Sequence, residues 1–395
     1  MINYLRRTWA TVNLNNLDYN IREIQRMVKP GCEIMGVVKA DAYGHGDAMV
    51  AKRLVANGIN WFGVSNIEEA LSLREKGIDK DILIFGDTPY SLARVLAAQH
   101  ITQTVYSAEY ARQLSQAAQE QGVVVDVHIK VDTGMGRIGF LCYDDIPAAA
   151  DAVEAAVLLP SLNATGIFTH FSCADEVSQS SKDYTRLQYD RFIKVCDLLK
   201  ARGITFRHRH CCNSGGLVCY PEMHLDMVRP GIILYGHTPS AEIADRIHFK
   251  PLMELKSVVS LVKEVDESRS ISYGRIYTTP KARTLATVCL GYADGYTRSL
   301  SGRANMVVNG SLARVVGRVC MDQVVLDVTG IDVKPGDVVT VFGSDGQNTV
   351  TVEELAELTG SFNYEMICLV GRRVPRVYLE DGNEIAVVDY IRQRL

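Results

Sequence analysis

The feature that most constrains the fold of this chain is a regular alternation of short apolar runs with amphipathic stretches. Eight apolar runs of strand length occur before residue 235, at residues 33–39, 61–65, 81–86, 102–106, 123–131, 164–170, 206–213 and 226–229. Residues 182–202, between two of these runs, repeat apolar side chains at three- and four-residue steps, which predicts an amphipathic helix. Eight successive strand–helix units predict a parallel (β/α)8 TIM barrel, and the alternative is an open doubly wound sheet.

The pattern changes after about residue 245, where strand-like segments are separated by turn residues such as Asn309-Gly310 and Asp381-Gly382-Asn383. One short helix is predicted there, near residues 352–358. A chain of 395 residues also exceeds the roughly 250–300 residues at which a single core usually stops growing. We therefore predict a barrel at residues 11–240, an all-β domain at 241–395, and an N-terminal strand within 1–10 that packs with the β-domain.

Composition narrows the class of protein further. Hydrophobic residues make up 47% of the chain and charged residues 22%, so the chain can bury a sizeable core and is not disordered. A net charge of −4 leaves no electrostatic footprint for nucleic acid. No apolar segment reaches the ~20 residues of a membrane span. The start of the chain lacks the apolar core of a signal peptide, which predicts a cytoplasmic protein.

The ten cysteines lie mostly in strand-like or helical segments, as thiols of a reducing compartment do. Histidine and cysteine crowd together once, in Arg207-His208-Arg209-His210-Cys211-Cys212. Successive residues of a strand face opposite ways, and no second ligand pair stands at zinc-finger spacing. The sequence therefore predicts no metal site.

In a parallel barrel the active site lies at the carboxyl ends of the strands. The first apolar run ends at Lys39, and a half-desolvated lysine in this position can form a Schiff base with an aldehyde cofactor. After the fifth run, the glycines of Asp132-Thr133-Gly134-Met135-Gly136-Arg137 allow close backbone approach while the arginine enters the site. Taken alone, each motif also fits a solvated lysine or an ordinary surface turn.

The seventh and eighth runs end in Asn213-Ser214-Gly215-Gly216 and Arg229-Pro230-Gly231-Ile232. Barrels commonly bind phosphate after these two strands, where small residues let backbone N–H groups face an anion. A lysine for an imine, a phosphate cup and a ring such as that of His170 together describe a site for pyridoxal 5'-phosphate.

These motifs resemble the alanine racemase family of fold-type III pyridoxal-phosphate enzymes over essentially the full length of the chain. The matching segments, in the family's order, are Val37-Val38-Lys39-Ala40-Asp41-Ala42-Tyr43-Gly44-His45-Gly46, Asp132 to Arg137, Thr169-His170-Phe171, Asn213-Ser214, Arg229-Pro230-Gly231, Ser272-Tyr273-Gly274, Gly291-Tyr292-Ala293-Asp294-Gly295-Tyr296 and Gly317-Arg318-Val319-Cys320-Met321-Asp322-Gln323.

The resemblance implies a role for each matching residue. Lys39 would hold the cofactor and act as one acid/base, while Tyr273 of the partner subunit would act on the opposite face of Cα. The backbone N–H of the partner subunit's Met321 would meet the substrate carboxylate. The remaining cofactor contacts would be His170 beside the ring and, around the phosphate, Tyr43, Asn213, Ser214, Gly231 and Ile232. Because one site uses two chains, the resemblance implies a homodimer with shared active sites.

Three further cations receive roles from the resemblance. Arg229 would face the pyridine nitrogen, where a guanidinium donates a hydrogen bond but does not readily give up its proton. Arg137 would orient the cofactor's phenolic oxygen and contact substrate. Lys130 would be carbamylated, and its new carboxylate would hold Arg137.

The chain departs from the family pattern at two places. Arg372 stands where many alanine racemases carry a tyrosine that touches the phosphate and crowds the substrate side chain, so it is a candidate for specificity. Gly215-Gly216 replaces a pair of alanines, a change expected to loosen the phosphate cup slightly. The substrate-entry corridor would be lined by Asp175, Tyr292, Arg298 and Arg318.

The function implied by the resemblance is alanine racemisation by a two-base mechanism, which supplies D-alanine for peptidoglycan. Because serine racemases of the family differ at the position of Arg372, a serine or dual alanine/serine racemase is the first alternative. A fold-type III decarboxylase and a non-enzymatic pyridoxal-phosphate carrier are further alternatives. The segments around Tyr273 and Met321 speak against the decarboxylase, and the β-domain speaks against the single-barrel carrier.

Overall fold

The structure, a computed structural model, describes residues 5–392 of the chain. These residues form two compact units. The β unit contains the described residues through Asn16, the short segment Tyr43–Gly46, and the described residues from Pro251 onward. The barrel unit contains Leu17–Ala42 and Asp47–Lys250. The strand predicted within residues 1–10 falls partly outside the described residues, which begin at Leu5.

The chain begins with strand β1 (Thr8–Asn13) of the β unit and then builds the barrel unit. The strands of the barrel unit are β2 (Glu33–Val37), β3 (Trp61–Val64), β4 (Asp81–Ile84), β5 (Ile101–Val105), β6 (Val125–Asp132), β7 (Phe140–Leu141), β8 (Leu162–Phe168), β9 (His208–His210) and β10 (Met227–Val228). Eight of them run parallel in the order β10-β2-β3-β4-β5-β6-β8-β9, and β7 adds to the edge of β6.

Backbone hydrogen bonds between the segments of β9 and β10 close the ring. The N–H of Asp226 donates to the carbonyl of Arg209 at 3.1 Å, and the N–H of Arg229 donates to the carbonyl of Cys212 at 3.0 Å. Each predicted apolar run overlaps one of the eight strands. The predicted TIM barrel is therefore confirmed, and the doubly wound alternative is wrong.

Helices connect the strands, as the amphipathic stretches predict. Several begin with a side chain that accepts a backbone N–H of the first turn, among them Asn66, Ser107 and Ser178. The predicted helix at 182–202 is observed at Gln179–Ala201. The other α-helices of this part of the chain are Leu14–Met27, Asp47–Ala56, Ile67–Glu75, Ala93–Ala98, Ala108–Glu120, Ile146–Val157 and Ser214–Cys219, with 3-10 turns at Tyr90–Leu92, Pro221–Met223, Ile232–Tyr235 and Ala241–Arg246.

The β unit is built on a ten-stranded sheet. Its strands after β1 are β11 (Met253–Val265), β14 (Arg283–Val288), β15 (Asn305–Val308), β16 (Ser311–Val316), β17 (Val324–Asp327), β18 (Val338–Ser344), β19 (Thr349–Val350), β20 (Arg376–Glu380) and β21 (Asn383–Val388); a separate hairpin pairs β12 (Ser270–Ile271) with β13 (Tyr277–Thr278). Strand β1 lies between β11 and β20, antiparallel to the first and parallel to the second.

Local turn chemistry in the β unit matches the sequence prediction. Asn309 and Gly310 join β15 to β16 with φ of 47° and 76°, as a tight hairpin turn requires. The predicted helix is observed at Val352–Thr359, but the prediction of a single helix is wrong, because a second follows at Asn363–Cys368. That helix has only six residues, too few for its periodicity to stand out. Short 3-10 turns lie at Tyr273–Arg275, Tyr292–Asp294 and Arg298–Leu300. None of the helices between residues 5 and 392 has the length and apolarity of a membrane span.

Candidate active site

Lys39 lies directly after β2 and begins an unusual backbone segment. The next residues, Ala40, Asp41 and Ala42, have φ of 54°, 55° and 52°, and Tyr43 continues at 54°. A left-handed conformation costs roughly 1–2 kcal/mol for each residue that carries a Cβ. Because no glycine occurs before Gly44, surrounding contacts must hold this turn. This conformation was not predictable from the residue types, since alanine and tyrosine do not favour positive φ.

Arg229 is the most enclosed cation of the barrel unit's strand ends, with 3% of its surface exposed. Its guanidinium donates to the carbonyls of Thr169 at 2.8 Å and Cys211 at 3.1 Å, and to Nδ1 of His210 at 2.7 Å. Burial lowers its pKa to about 10, so Arg229 remains protonated at neutral pH. The residue predicted to face the pyridine nitrogen is therefore a fixed hydrogen-bond donor.

The bond from Arg229 sets the protonation of two buried histidines. His210 accepts at Nδ1, so in its neutral form it carries its proton on Nε2 and donates to Nδ1 of His128 at 3.0 Å. Burial, with the nearby Arg229 charge, keeps the pKa of His210 well below its usual value. Burial, with His208 and Arg229, lowers the pKa of His128 to about 3. Sequence reasoning missed this pair, although the alternation of His208 and His210 on one strand was a usable signal for an inward face.

Lys130, on β6, is also buried, with 5% of its surface exposed. Its Nζ lies 4.5 Å from the ring centroid of Phe168. Burial, followed by the positive charges of Arg229 and Arg137, holds the pKa of the Lys130 amine well below its usual range, although Asp132 acts in the opposite direction. Burial and the two arginines therefore both act against the charged form of the amine.

His170 lies where these cations meet. Its pKa is held well below the usual range by burial and then by the charges of Lys130, Arg229, Arg137 and Lys39. Its Nδ1 is 3.5 Å from the guanidinium of Arg229. The structure thus brings together five residues that the sequence predicted separately.

The loop that carries Arg137 is shaped by Asp132. One carboxylate oxygen of Asp132 accepts the backbone N–H groups of Gly134 and Gly136, each at 3.0 Å. Arg137 itself is exposed to solvent at the end of this loop. The glycine motif therefore forms a turn around a buried carboxylate and leaves the guanidinium accessible.

The two segments of the predicted phosphate site are joined by the hydroxyl of Ser214. Ser214 Oγ accepts the backbone N–H of Gly231 at 2.9 Å, which ties the start of the helix Ser214–Cys219 to the start of the 3-10 turn at Ile232. Asn213 caps the same helix by accepting the N–H of Gly216 at 2.9 Å. Proteins often bind anions at helix N-termini that are rich in small residues, which is the arrangement at this place.

Packing against Asp175 explains the glycine at position 215, and the sequence did not predict this contact. A Cβ added at Gly215 would lie 2.9 Å from both the Cβ and the backbone N of Asp175. Asp175, predicted to line the entry corridor, is half-buried against the cup. Glycine here makes room for the Asp175 backbone, in addition to any effect on the rigidity of the cup.

Tyr43, also predicted to bind phosphate, belongs to the β unit. Its ring centroid lies 6.1 Å from that of Tyr364, and burial raises the pKa of its hydroxyl above the usual value. Gly44 packs so closely in the same unit that an added Cβ would lie 2.7 Å from the carbonyl oxygen of Ile367.

The β unit presents the predicted second base, Tyr273, on its surface with 67% of the residue exposed. Tyr273 follows the strand β12, and the preceding Ser272 has φ of 63°. The hydroxyl of Ser272 donates to the carbonyl of Arg318 at 2.6 Å, which anchors the turn. A Cβ at Gly274 would lie 2.8 Å from the guanidinium of Arg318, so glycine lets this corridor residue pack beneath the turn.

Met321 and Tyr292 lie on two segments that are bonded to each other. The N–H of Tyr292 donates to the carbonyl of Cys320 at 3.0 Å, and the N–H of Ala293 donates to that of Met321 at 3.1 Å. A Cβ at Gly291 would lie 2.2 Å from the carbonyl oxygen of Met321, so only glycine permits this approach. Met321 and Tyr292 are 53% and 44% exposed, and Arg298 is exposed as well.

A buried carboxylate that sequence reasoning missed holds these two segments. Asp294 accepts the N–H of Gly291 at 2.9 Å, a bond from Arg373 Nε at 2.7 Å, and a further bond from Arg7. Arg373 also reaches Asp322 at 2.5 Å, directly after Met321. Burial alone would raise the pKa of Asp294, but the bonds from Arg373, Arg7 and Gly291 hold it below its usual value.

Arg372, the specificity candidate, is exposed beside Arg373. Its guanidinium carbon lies 6.0 Å from the ring centroid of Tyr390, and the same ring is approached at 5.5 Å by Arg376. An aromatic face near a cation contributes modest attraction when exposed.

The chain also matches known proteins over nearly its whole length. The model of the alanine racemase N-terminal domain matches residues 12–239, and that of the C-terminal domain matches residues 252–378. An alanine racemase of Clostridium tetani is 43% identical over 394 residues, covering 99% of this chain and 100% of that protein. The solved alanine racemase of Clostridium difficile 630 superposes with a TM-score of 0.93 at 39% identity, covering 98% of this chain and 100% of that one.

These matches confirm the resemblance that the sequence motifs carry, and they disfavour the decarboxylase and carrier alternatives, because the relatives named above are racemases. Both domain models match in order along one chain, and this protein belongs to the alanine racemase family of isomerases.

Proposed function

We propose that this protein interconverts L- and D-alanine with pyridoxal 5'-phosphate bound in the barrel unit, using Lys39 and Tyr273 as the two proton-transferring side chains. The observation that carries the proposal is the set of basic side chains around His170, which unites Lys39, Lys130, Arg137 and Arg229 at the strand ends of the barrel. The proposed product, D-alanine, would serve peptidoglycan synthesis.

The residues present fit an anionic aldehyde cofactor. The guanidinium groups of Arg229 and Arg137 near His170 call for a negative partner. The nearby carboxylate of Asp132 already accepts two backbone N–H groups. A phosphate fits the helix N-termini joined through Ser214, with Asn213, Gly231 and Ile232 alongside. The half-buried Lys39 offers the amine that an aldehyde requires.

When bound, pyridoxal phosphate supplies an electron sink for the electron pair that remains after Cα loses its proton. Lys39 would hold the cofactor and move a proton on one face of Cα. Arg229 holds its own proton at neutral pH, because its pKa is about 10, and it therefore donates a hydrogen bond without transferring a proton. We expect this to favour return of the proton to Cα over transamination.

Inversion needs a second acid/base on the other face of Cα. Tyr273 and Met321 are 67% and 53% exposed in the β unit, so both are accessible to a second chain. We therefore propose a homodimer in which Tyr273 of the partner subunit completes each barrel site. The backbone N–H of the partner's Met321 would bind the substrate carboxylate opposite Arg137.

We also propose that Lys130 is carbamylated. A neutral amine adds to CO2 and releases one proton, which leaves a carbamate with one negative charge. Burial and two neighbouring arginines favour the neutral amine that this addition needs, and the product would offset part of their charge. Native mass spectrometry should show an increment of one CO2 that is absent from Lys130→Met, and 13CO2 should give one new carbonyl resonance. An unmodified wild-type mass under CO2-saturated buffer would contradict this.

The first experiment incubates the cofactor-loaded protein with L-alanine and, separately, with L-serine in D2O, and follows chirality and Cα deuteration together. Fast inversion with deuterium incorporation for alanine and slow turnover of serine is the expected result, since the relatives are named alanine racemases. Comparable or faster turnover of serine would instead support the serine alternative. Absence of exchange with both amino acids would overturn the proposed function.

A further inference from the structure

The left-handed turn after Lys39 is strained, and contacts with other residues must hold it. Ala40, Asp41 and Ala42 all carry a Cβ, and each has φ between 52° and 55°. One internal bond, from the N–H of Ala42 to the carbonyl of Val38 at 2.9 Å, closes the turn. A second contact binds the N–H of Ala40, the first residue of the turn, and comes from a side chain outside the turn.

That side chain is Glu69. Its Oε1 accepts the N–H of Ala40 at 2.7 Å, and its Oε2 accepts the N–H of Ser65 at 2.7 Å. One half-buried carboxylate thus joins the residues that follow two neighbouring barrel strands, β2 and β3. Hydrogen bonds to a charged acceptor are shorter and about twice as strong as those between neutral groups.

The position of Glu69 in its helix shows that this bridge replaces a common local arrangement. Asn66 caps the helix Ile67–Glu75 by accepting the N–H of Glu69 at 3.0 Å. In a capping box, a glutamate at this third helical position returns to the N–H of the cap residue. Here the carboxylate bonds instead to Ser65 and Ala40.

We propose that Glu69 is a positioning residue for Lys39. The peptide N–H of Ala40 belongs to the plane that directly follows Lys39, so fixing it fixes the backbone from which the Lys39 side chain leaves the strand. The Asp41 carboxylate gives the turn another contact by accepting the N–H of Asp47 at 3.0 Å, but that bond does not hold the peptide that follows Lys39. Without the bond from Glu69, the Ala40 peptide loses its anchor and relaxes toward the right-handed region that L-residues favour. The inference rests on the proposed function, in which the Lys39 amine holds the cofactor.

The test compares Glu69→Gln with Glu68→Gln, which removes the neighbouring exposed carboxylate of the same helix. Glutamine keeps the size of the side chain but has only one carbonyl oxygen, so its NH2 group faces one of the two backbone N–H groups and that hydrogen bond is lost. Hydrogen exchange of a peptide spanning residues 39–42 should accelerate about ten- to a hundredfold in Glu69→Gln, the range for losing a hydrogen bond to a charged group. Glu68→Gln should exchange as wild type.

A second readout concerns Lys39 itself. The rate at which added pyridoxal phosphate forms its imine absorbance should fall about tenfold or more in Glu69→Gln, and the pH dependence of that absorbance should shift. We expect a decrease in kcat for alanine that is larger than any change in KM, because Lys39 acts on the proton of Cα. Glu68→Gln should match wild type in all three measurements.

The outcomes separate this inference from the proposed function. Exchange that is equal in Glu69→Gln and Glu68→Gln overturns the anchor, and faster exchange with wild-type imine formation and kcat overturns the positioning of Lys39. A wild-type protein that takes up no pyridoxal phosphate overturns the proposed function, while the exchange data still decide whether Glu69 holds the turn. If Glu69→Gln fails to fold, Glu69→Asp, whose carboxylate is one methylene shorter, is measured in the same way.

Discussion

The candidate residues of the barrel unit are mostly buried, whereas those of the β unit are mostly exposed. Arg229 and Lys130 retain 3% and 5% exposure, while Tyr273 retains 67%. In the barrel unit, burial and mutual repulsion of cations change the chemistry of each group, as the lowered pKa of Lys130 shows. In the β unit, turns fixed by buried polar contacts present side chains outward, and in the proposed homodimer another chain would cover this surface.

The largest expected effect is the loss of kcat/KM when either proposed base is removed, Lys39 in the barrel unit or Tyr273 in the β unit. Lys39→Ala should lose the cofactor imine and lower kcat/KM by about 10⁴-fold or more, at or beyond the upper end of what an acid/base contributes. Tyr273→Phe should keep the imine and lower kcat/KM by about 10²–10⁴-fold, with Cα exchange retained for one enantiomer. Tyr277→Phe, on the same hairpin, is the control and should leave kcat/KM unchanged.

Mixing the two inactive variants sharpens this comparison. If sites are shared between two chains, a heterodimer of Lys39→Ala and Tyr273→Phe contains one intact site, and random pairing restores about a quarter of wild-type activity. Failure of the mixed, refolded variants to regain activity would contradict a site shared between subunits.

The next effect concerns the stability of the β unit. Asp294→Ala should lower the free energy of unfolding by about 2–3 kcal/mol, because it leaves Arg7 and Arg373 without their buried partner, although both arginines are partly exposed and solvent offsets some of the loss. Asp322→Ala removes the exposed partner of Arg373 and should cost less than about 1 kcal/mol. Urea unfolding of both variants provides the measurement, and equal losses would show that burial of Asp294 is unimportant.

A third prediction addresses the buried donor of the barrel unit. Arg229→Glu should slow racemisation about 10²-fold, the scale for losing one preorganised donor, and should raise the ratio of transamination to racemisation. Product analysis by chiral chromatography, with pyruvate measured separately, gives the ratio. Arg229→Lys keeps the charge and should change the ratio less. An unchanged ratio in Arg229→Glu would show that the donor does not control partitioning.

Acid should weaken the barrel unit through His128. The folded-state pKa of about 3 lies below the usual value of about 6.5, so between these two values the unfolded chain binds a proton that the folded chain does not. His128 therefore lowers the free energy of unfolding as pH falls through this window, by up to about 1.4 kcal/mol per pH unit. Urea unfolding of His128→Gln across this window should show a shallower slope than wild type. His248→Gln, an exposed control, should keep the wild-type slope.

The smallest effect is expected at Arg372. Arg372→Tyr, which restores the residue common in the family, should raise the ratio of kcat/KM for alanine to that for serine by about tenfold, the scale set by small differences in substrate size. Arg372→Lys should keep the wild-type ratio because it keeps the charge. If Arg372→Tyr also leaves the ratio unchanged, Arg372 does not select the substrate.

The strand ends of the barrel unit were predictable because a parallel barrel gathers the residues that follow its strands at one face. Lys39, Arg137, His170, Ser214 and Arg229 each follow an apolar run, and in the structure they occupy that face. The contacts that fix these residues were not predictable in the same way. His128 bonds to His210 and Glu69 bonds to the backbone of Ala40, both far away in the sequence, and no local pattern states which residue a side chain will reach.

The sequence by itself determined the order of the strands, the class of the fold and the residue types available for chemistry, because these follow from the spacing of apolar residues and from turn chemistry. Only the tertiary structure decided the left-handed turn after Lys39, the lowered pKa of the Lys130 amine and the buried carboxylate of Asp294. Each of these depends on burial or on a partner distant in the chain, and the energy of a buried charge or a strained backbone is set by what surrounds it.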